Sequence, residues 1–131
     1  MTDILLPGKR LESAIRTVTD KCGEIPYTCA EETFVSWQAA GEEIAAAASD
    51  GVLRMRASYR VLIFSRGDYE ALKIRLYTAL LIAGFDLTGM PGEIYNDTTQ
   101  RHQWPIDVEI TYDLVAAYDA IANEEENRNE E

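Results

Sequence analysis

The sequence predicts an α+β fold, a mixed or antiparallel β-sheet packed against two or three α-helices. Two stretches with a period of two and one with a period of 3.6 carry that expectation. From Val52 to Ser65, Met55, Ala57, Tyr59, Val61 and Ile63 alternate with Arg54, Arg56, Ser58 and Arg60. From about His102, Trp104, Ile106, Val108, Ile110 and Tyr112 alternate with Gln103, Asp107, Glu109 and Thr111. Such alternation gives each strand one oily and one polar face. Between the two, Leu72, Leu76, Ala79, Leu80 and Ala83 recur at helical spacing, flanked by Ile74, Tyr77 and Leu81.

In chain order, the first element is an amphipathic helix over about Lys9–Asp20, with Leu11, Ala14, Ile15 and Val18 on one side, Pro7 and Gly8 at its start and Gly23 near its stop. A turn at Glu24-Ile25-Pro26 follows. The aromatic and β-branched residues of Tyr27–Ala40 predict a strand with Val35, Trp37 and Ala39 on one face, which Tyr27–Cys29 either begins or precedes as a separate short strand. Gly41–Gly51 holds Glu42, Glu43, Ile44 and a run of alanines. It fits a mobile loop, a helical turn or half of a hairpin closed by Asp50-Gly51, and all three stay open.

Ser65-Arg66-Gly67-Asp68 supplies turn and N-cap residues for the helix that starts near Asp68, with Glu70 in its first turn and Gly84 placed to close it. Phe85–Gly92 has the composition of a loop, Glu93–Tyr95 is a short stretch and Asn96–Arg101 a polar linker. Pro105 removes a ladder donor, which predicts an edge or a bulge at that end of the last strand. Asp113 caps a final helix, Leu114–Ala122, with Leu114, Tyr118 and Ile121 inward.

A length of 131 residues suits one domain. Lys plus Arg number 12 against 23 Asp plus Glu, a formal charge of −11, so the molecule repels polyanions and has no bulk means of gripping nucleic acid. The expected organisation is one α+β domain over residues 1–123 and an acidic disordered tail over 124–131, a stretch with no apolar residue. The apolar run Ala79–Ala83 is far too short to span a bilayer and the amino end lacks a signal pattern, so the expected compartment is the cytoplasm. The spacing of Cys22 and Cys29 suits neither redox nor zinc chemistry, and reduced thiols with a packing role are expected.

No pattern assembles a catalytic, cofactor or metal site. His102 is the one histidine and stands at the mouth of a strand. The pairs Glu31-Glu32 and Glu42-Glu43 lie in loop-like sequence, and Asp107 and Glu109 share a strand face that has arginines to meet. Phosphate-cradling glycine motifs are absent from the sequence. Arg66-Gly67-Asp68 and the sequon Asn96-Asp97-Thr98 are short enough to arise by chance. The opposite charges of Arg54, Arg56 and Arg60 and of Asp107 and Glu109 predict that the two strands are neighbours whose register the pairs help set, while burial of the oily faces supplies most of the stability.

The run Tyr59-Arg60-Val61-Leu62-Ile63-Phe64-Ser65, a helix closed by Gly84-Phe85, a Gly/Pro loop, Tyr95-Asn96-Asp97-Thr98 and an alternating strand from His102 together resemble the tail-terminator or tail-completion proteins of long-tailed bacteriophages. The resemblance covers about Pro26–Tyr112 with the helix before it. The alanine-rich Gly41–Gly51 segment, the final helix and the tail depart from the family's pattern. The resemblance implies a virion structural protein and not an enzyme. Its copies form a ring, usually a hexamer, at the tail-neck junction, assembled in the host cytoplasm. That ring caps the tail tube, ends its polymerisation and joins it to the head connector or stopper protein. DNA only passes through the lumen, and neither cofactor nor membrane takes part. Subunit contacts are expected at Arg54, Arg56, Arg60, Glu42, Glu43, Asp97 and Thr98. Rival readings are a head-closure protein of the same particle and a small regulatory module that binds a ligand or protein. Whether the chain is a ring or a monomer that forms one on the tube, Met55, Tyr59, Trp104 and Val108 should be buried.

Overall fold

The computed structural model describes residues 6–27, 29–47, 51 and 53–129, and side chains as far as Glu126. Its elements are α1 (Pro7–Arg16), β1 (Cys22–Glu24), β2 (Thr33–Ala47), β3 (Leu53–Ser65), α2 (Glu70–Ile82), β4 (Asp86–Gly89), β5 (Ile94–Asn96), β6 (Arg101–Asp113) and α3 (Leu114–Asn129). One sheet runs in the order β1-β2-β3-β6-β4, with β5 also on β6. β1 lies parallel to β2 and every other pairing is antiparallel. The mixed α+β architecture is the one the two alternating stretches predict.

The oily faces of β3 and β6 lie side by side in register, with Tyr59 opposite Val108, Val61 opposite Ile106 and Ile63 opposite Trp104. α1 and α2 cover this face, Leu11 and Ile15 from one helix and Leu76 and Leu80 from the other joining Val35, Val61, Ile63 and Ile106 in the core. Each such side chain contributes about 1.5–3 kcal/mol when fully buried. Val108 is buried as expected, while Tyr59 and Trp104 are half-buried at the margin of the core and Met55 is half-buried away from it. Cys22 is a free thiol inside the core, and burial pushes its pKa up; Cys29 is also free and half-buried.

Several expectations are corrected. α1 stops at Arg16, well short of Asp20, because the Thr17 hydroxyl turns back to the Ala14 carbonyl (2.6 Å). Gly23 lies in β1, where a side chain would collide with the Tyr27 ring. Tyr27 and Cys29 are not in a strand, and Thr28 lies outside the described residues. Of the three conformations open to Gly41–Gly51, the hairpin is adopted: β2 runs without a break to Ala47, opposite Leu53, with bulges at Ala39/Gly41 and Ile44/Ala46. The proposed closing residue Asp50 and the strand's expected first residue Val52 lie outside the described residues. Ala39, expected inward with Val35 and Trp37, is exposed beyond the end of the core.

Phe85–Gly92 is not a plain loop, since Asp86–Gly89 forms β4 with Leu87 opposite Val108. Pro105 is fully buried in the middle of β6, opposite Leu62, with no bulge there, and the edge expected of it is a local one. β4 pairs with Asp107–Glu109 and β5 with Arg101–Gln103. Residues 104–106 therefore have no partner on that side, and the missing donor falls in the gap.

α2 ends as its sequence predicts. Gly84 has φ +97°, its N–H donates to the Leu81 carbonyl and the Phe85 N–H to that of Leu80, a Schellman closure with Phe85 and Leu80 both buried. Its start differs from a standard cap only in register, the Asp68 carboxylate accepting the Glu70 N–H (2.9 Å). Asp113 caps α3 through the Ala116 N–H (3.1 Å). α3 runs to Asn129, seven residues past Ala122, so the acidic segment is helical at least that far; Glu130 and Glu131 lie outside the described residues. The helix is also rotated from its expected setting. Ala117 is buried, whereas Leu114, Tyr118 and Ile121 are exposed, because the small alanines sit closest to the sheet.

Candidate functional site

The residues singled out for subunit contact fall into three separate places. β3 and β6 bring Arg60 directly opposite Asp107, and the guanidinium forks the carboxylate at 2.7 and 3.1 Å. Arg56 donates to Glu43 (2.7 Å) across the β2–β3 hairpin and lies 3.8 Å from Glu109 on the other side. These carboxylates raise the pKa of both arginines. Arg54 stands opposite Asp113. The predicted charge pairs thus form in the observed β3–β6 register and extend to β2. These groups are about a third or more exposed, so each pair is worth at most about 1 kcal/mol.

Glu42 points to the opposite face from Glu43. It accepts the Tyr112 hydroxyl (2.5 Å), and burial together with that bond pushes the Tyr112 pKa up to about 12. Asp97 and Thr98 lie in the turn between β5 and β6. That turn is at the Ser65–His102 end of the sheet, whereas Leu53 and Asp113 mark the other. No single surface therefore holds all seven residues.

His102 serves a surface network. Its Nδ1 is 3.0 Å from Glu93 Oε2 and its ring packs on Tyr95. The Tyr69 hydroxyl donates to the same carboxylate, and that bond, with the imidazole beside it, holds the Glu93 pKa below its ordinary value. Next to it, Trp104 Nε1 donates to the Tyr77 hydroxyl (2.8 Å) and Lys73 Nζ sits 4.5 Å from the Trp104 ring centre. No group of three or more His, Cys, Asp and Glu that could hold a metal ion is found among the described residues. Among these residues no helix is long and apolar enough to cross a membrane.

Three features escaped the sequence. Arg101, read as part of a polar linker, is buried; its Nη2 donates to the Cys29 and Glu31 carbonyls (2.9 and 3.0 Å) and its guanidinium lies 4.8 Å from the Phe34 ring centre. It ties residues 29–31 to the sheet. The second is a groove of about 700 Å³ between α1 and α2, walled by Arg10, Ser13 and Thr17 on one side and Ile74, Thr78 and Ile82 on the other. The third is the outward display of bulky apolar side chains on two helices: Ile74, Leu81 and Ile82 on α2, and Leu114, Val115, Tyr118 and Ile121 on α3. The α2 residues could have been suspected, because apolar side chains occupy more of its circumference than a single buried face needs.

No protein-family model matches the chain, and no curated protein matches it. Among solved structures it is similar to a chain in the virion of a native gene transfer agent (GTA) particle, with a TM-score of 0.46 and 11% identity over 81% of this chain and 90% of that one. A likeness this loose transfers no role.

Proposed function

We infer that the chain is a virion structural protein of the tail-terminator type. Its copies close into a ring, six in the expected case, that caps a tail tube and joins it to the head connector. The observation that carries this reading is the bare half of the β2–β3 hairpin. β1 covers β2 only at Val35–Trp37, so that from Gln38 to Ala47 the strand has β3 on one side and no strand on the other among the described residues. Its side chains there are exposed save for the half-buried Ala45, and Ile44 is 64% exposed. Such an edge offers unsatisfied backbone donors and acceptors to a neighbouring strand. Two bulges and the Glu42-Glu43 pair guard it against indiscriminate pairing.

The mechanism is steric. A closed ring on the growing end of a tube covers the surface that the next tube subunit needs, which requires no catalytic centre. Copies carrying −11 each would line the ring with negative potential, through which DNA passes without adhering. The resemblance of Tyr59–Ser65, Gly84-Phe85 and Tyr95–Thr98 to the tail-terminator pattern supports the same reading.

Negative-stain microscopy and light scattering of the purified chain test it. Closed rings are expected, together with overlong tubes when particles assemble without the protein. A monodisperse monomer that never binds tube ends would overturn the reading, and capture of the connector but not of the tube would make it a head-closure protein. One observation favours a second reading, a ligand-binding module: the α1–α2 groove has the volume of a small-molecule site. It is an open trough, however, with Ile82 on its wall 82% exposed, and such sites bury most of their ligand. Ligand-induced thermal stabilisation that Ile82→Asp abolishes would support that alternative.

A further inference from the structure

We propose that the groove between α1 and α2 receives α3 of a neighbouring copy of this chain; the inference rests on the ring reading and identifies one of its contacts. The argument starts from the two surfaces. On α2, Ile74, Thr78 and Ile82 follow one another at intervals of four, a continuous ridge about 12 Å long. On α1, Arg10, Ser13 and Thr17 form the facing wall. Between the walls lie Ala14, Ala79 and Ala83, which are small enough for bulky side chains from a third helix to settle between the two.

α3 has the complementary form. Leu114, Tyr118, Ile121 and Glu125 fall within a narrow arc of one helix face, and Tyr118 is 68% exposed. The large apolar residues thus point out and the alanines point in, an arrangement that leaves the isolated chain with apolar surface to cover. This helix does not line the groove of its own chain. A copy must therefore look to its neighbour.

Charge selects the occupant. The molecule is strongly acidic, yet the groove carries Arg10 and Arg75, neither with an ion-pair partner among the described residues. Arg10 reaches toward Gly84 beyond the end of α2, and Arg75 lies near the opposite end. A cation therefore stands toward each end of an apolar trough. α3 is an apolar stripe that runs into Glu124-Glu125-Glu126. A helix from a like-charged copy is admitted where its acidic end meets an arginine. The contact is heterologous, donor surface to a different acceptor surface, and repeated contacts of this kind close into a ring when the rotation between copies permits.

Disulfide trapping tests the proposal in a Cys29→Ser background. Chains carrying Thr78→Cys are mixed with chains carrying Tyr118→Cys, positions near the middle of the groove and of the stripe. A disulfide between the two variants is expected, without homodimers of either. Tyr118→Cys homodimers would place α3 against α3 and overturn the proposal. Reversal of both groove cations, Arg10→Glu with Arg75→Glu, is expected to weaken assembly about tenfold. Glu125→Lys with Glu126→Lys in the partner should restore it. Rings that form with no Thr78–Tyr118 disulfide and no response to charge reversal would remove this contact and leave the ring reading standing. A chain that stays monomeric at its highest soluble concentration would remove both.

Discussion

Arg101 and Glu93 show how single polar groups acquire structural weight. Arg101 is buried with two backbone carbonyls on one guanidinium nitrogen. Hydrogen bonds to a charged group contribute roughly 1.5–3 kcal/mol. Arg101→Ala is expected to lower stability by about that much in urea denaturation. Arg101→Lys should restore it only in part, because an ammonium can donate to the same carbonyls but cannot lay a planar guanidinium over the Phe34 ring. Glu93 offers a test in pH. Tyr69 and His102 hold its folded-state pKa down, so its contribution is fully present above the unfolded value of about 4.3 and is lost as pH falls through the lower folded one. Tyr69→Phe is expected to move the Glu93 titration upward in a carboxyl-carbon NMR series. The variant should be less stable than the parent at neutral pH, with the two converging in acid, where the carboxyl is protonated in both.

At the scale of elements, the ends of the helices are the most exposed to single changes. Gly84 occupies the left-handed region within a Schellman closure, so Gly84→Ala is expected to cost about 1 kcal/mol or more and to lower the thermal midpoint. Asp113→Ala removes the side-chain cap at the start of α3, worth about 1 kcal/mol. Among its described side chains α3 buries only Ala117, so the loss should appear as faster amide exchange within that helix while the global midpoint barely moves.

The same elements mark what the sequence could convey. Period-two alternation in β3 and β6 and the Gly84 stop were legible because each follows from local geometry and one buried face. The central place of Pro105 was not, since a proline is tolerated there only through a gap between β4 and β5 that nothing near it encodes. The setting of α3 was missed for a related reason. Bulky residues are ordinarily assigned inward, and alanines go inward here because the helix lies close to the sheet. Of the residues expected at subunit contacts, Arg56, Arg60 and Glu43 do share a face, but they neutralise one another or Asp107 within the chain. Asp97 and Thr98 stand at the far end of the sheet, a distance that only the β3–β6 register reveals.

For the whole molecule, the formal charge of −11 sets the conditions under which copies can meet. Two such charges on centres ~30 Å apart repel by on the order of 17 kcal/mol in unscreened water. The Debye length is about 30 Å at 0.01 M salt and about 8 Å at 0.15 M, so the long-range repulsion falls by on the order of tenfold over that range. Opposite charges at a few ångströms, such as those expected between the Arg10 and Arg75 ends of the groove and an acidic helix end, lie well inside either length and are screened far less. Burial of Tyr118, Ile121, Ile74 and Ile82 is indifferent to salt over the same range. Repulsion therefore weakens faster than attraction, and added NaCl up to about 0.15 M is expected to promote assembly, read as a rise in sedimentation coefficient at fixed protein concentration. If the assemblies instead dissociated steadily from the lowest salt upward, short-range ion pairs, and not the exposed apolar stripes of α2 and α3, would be their main support.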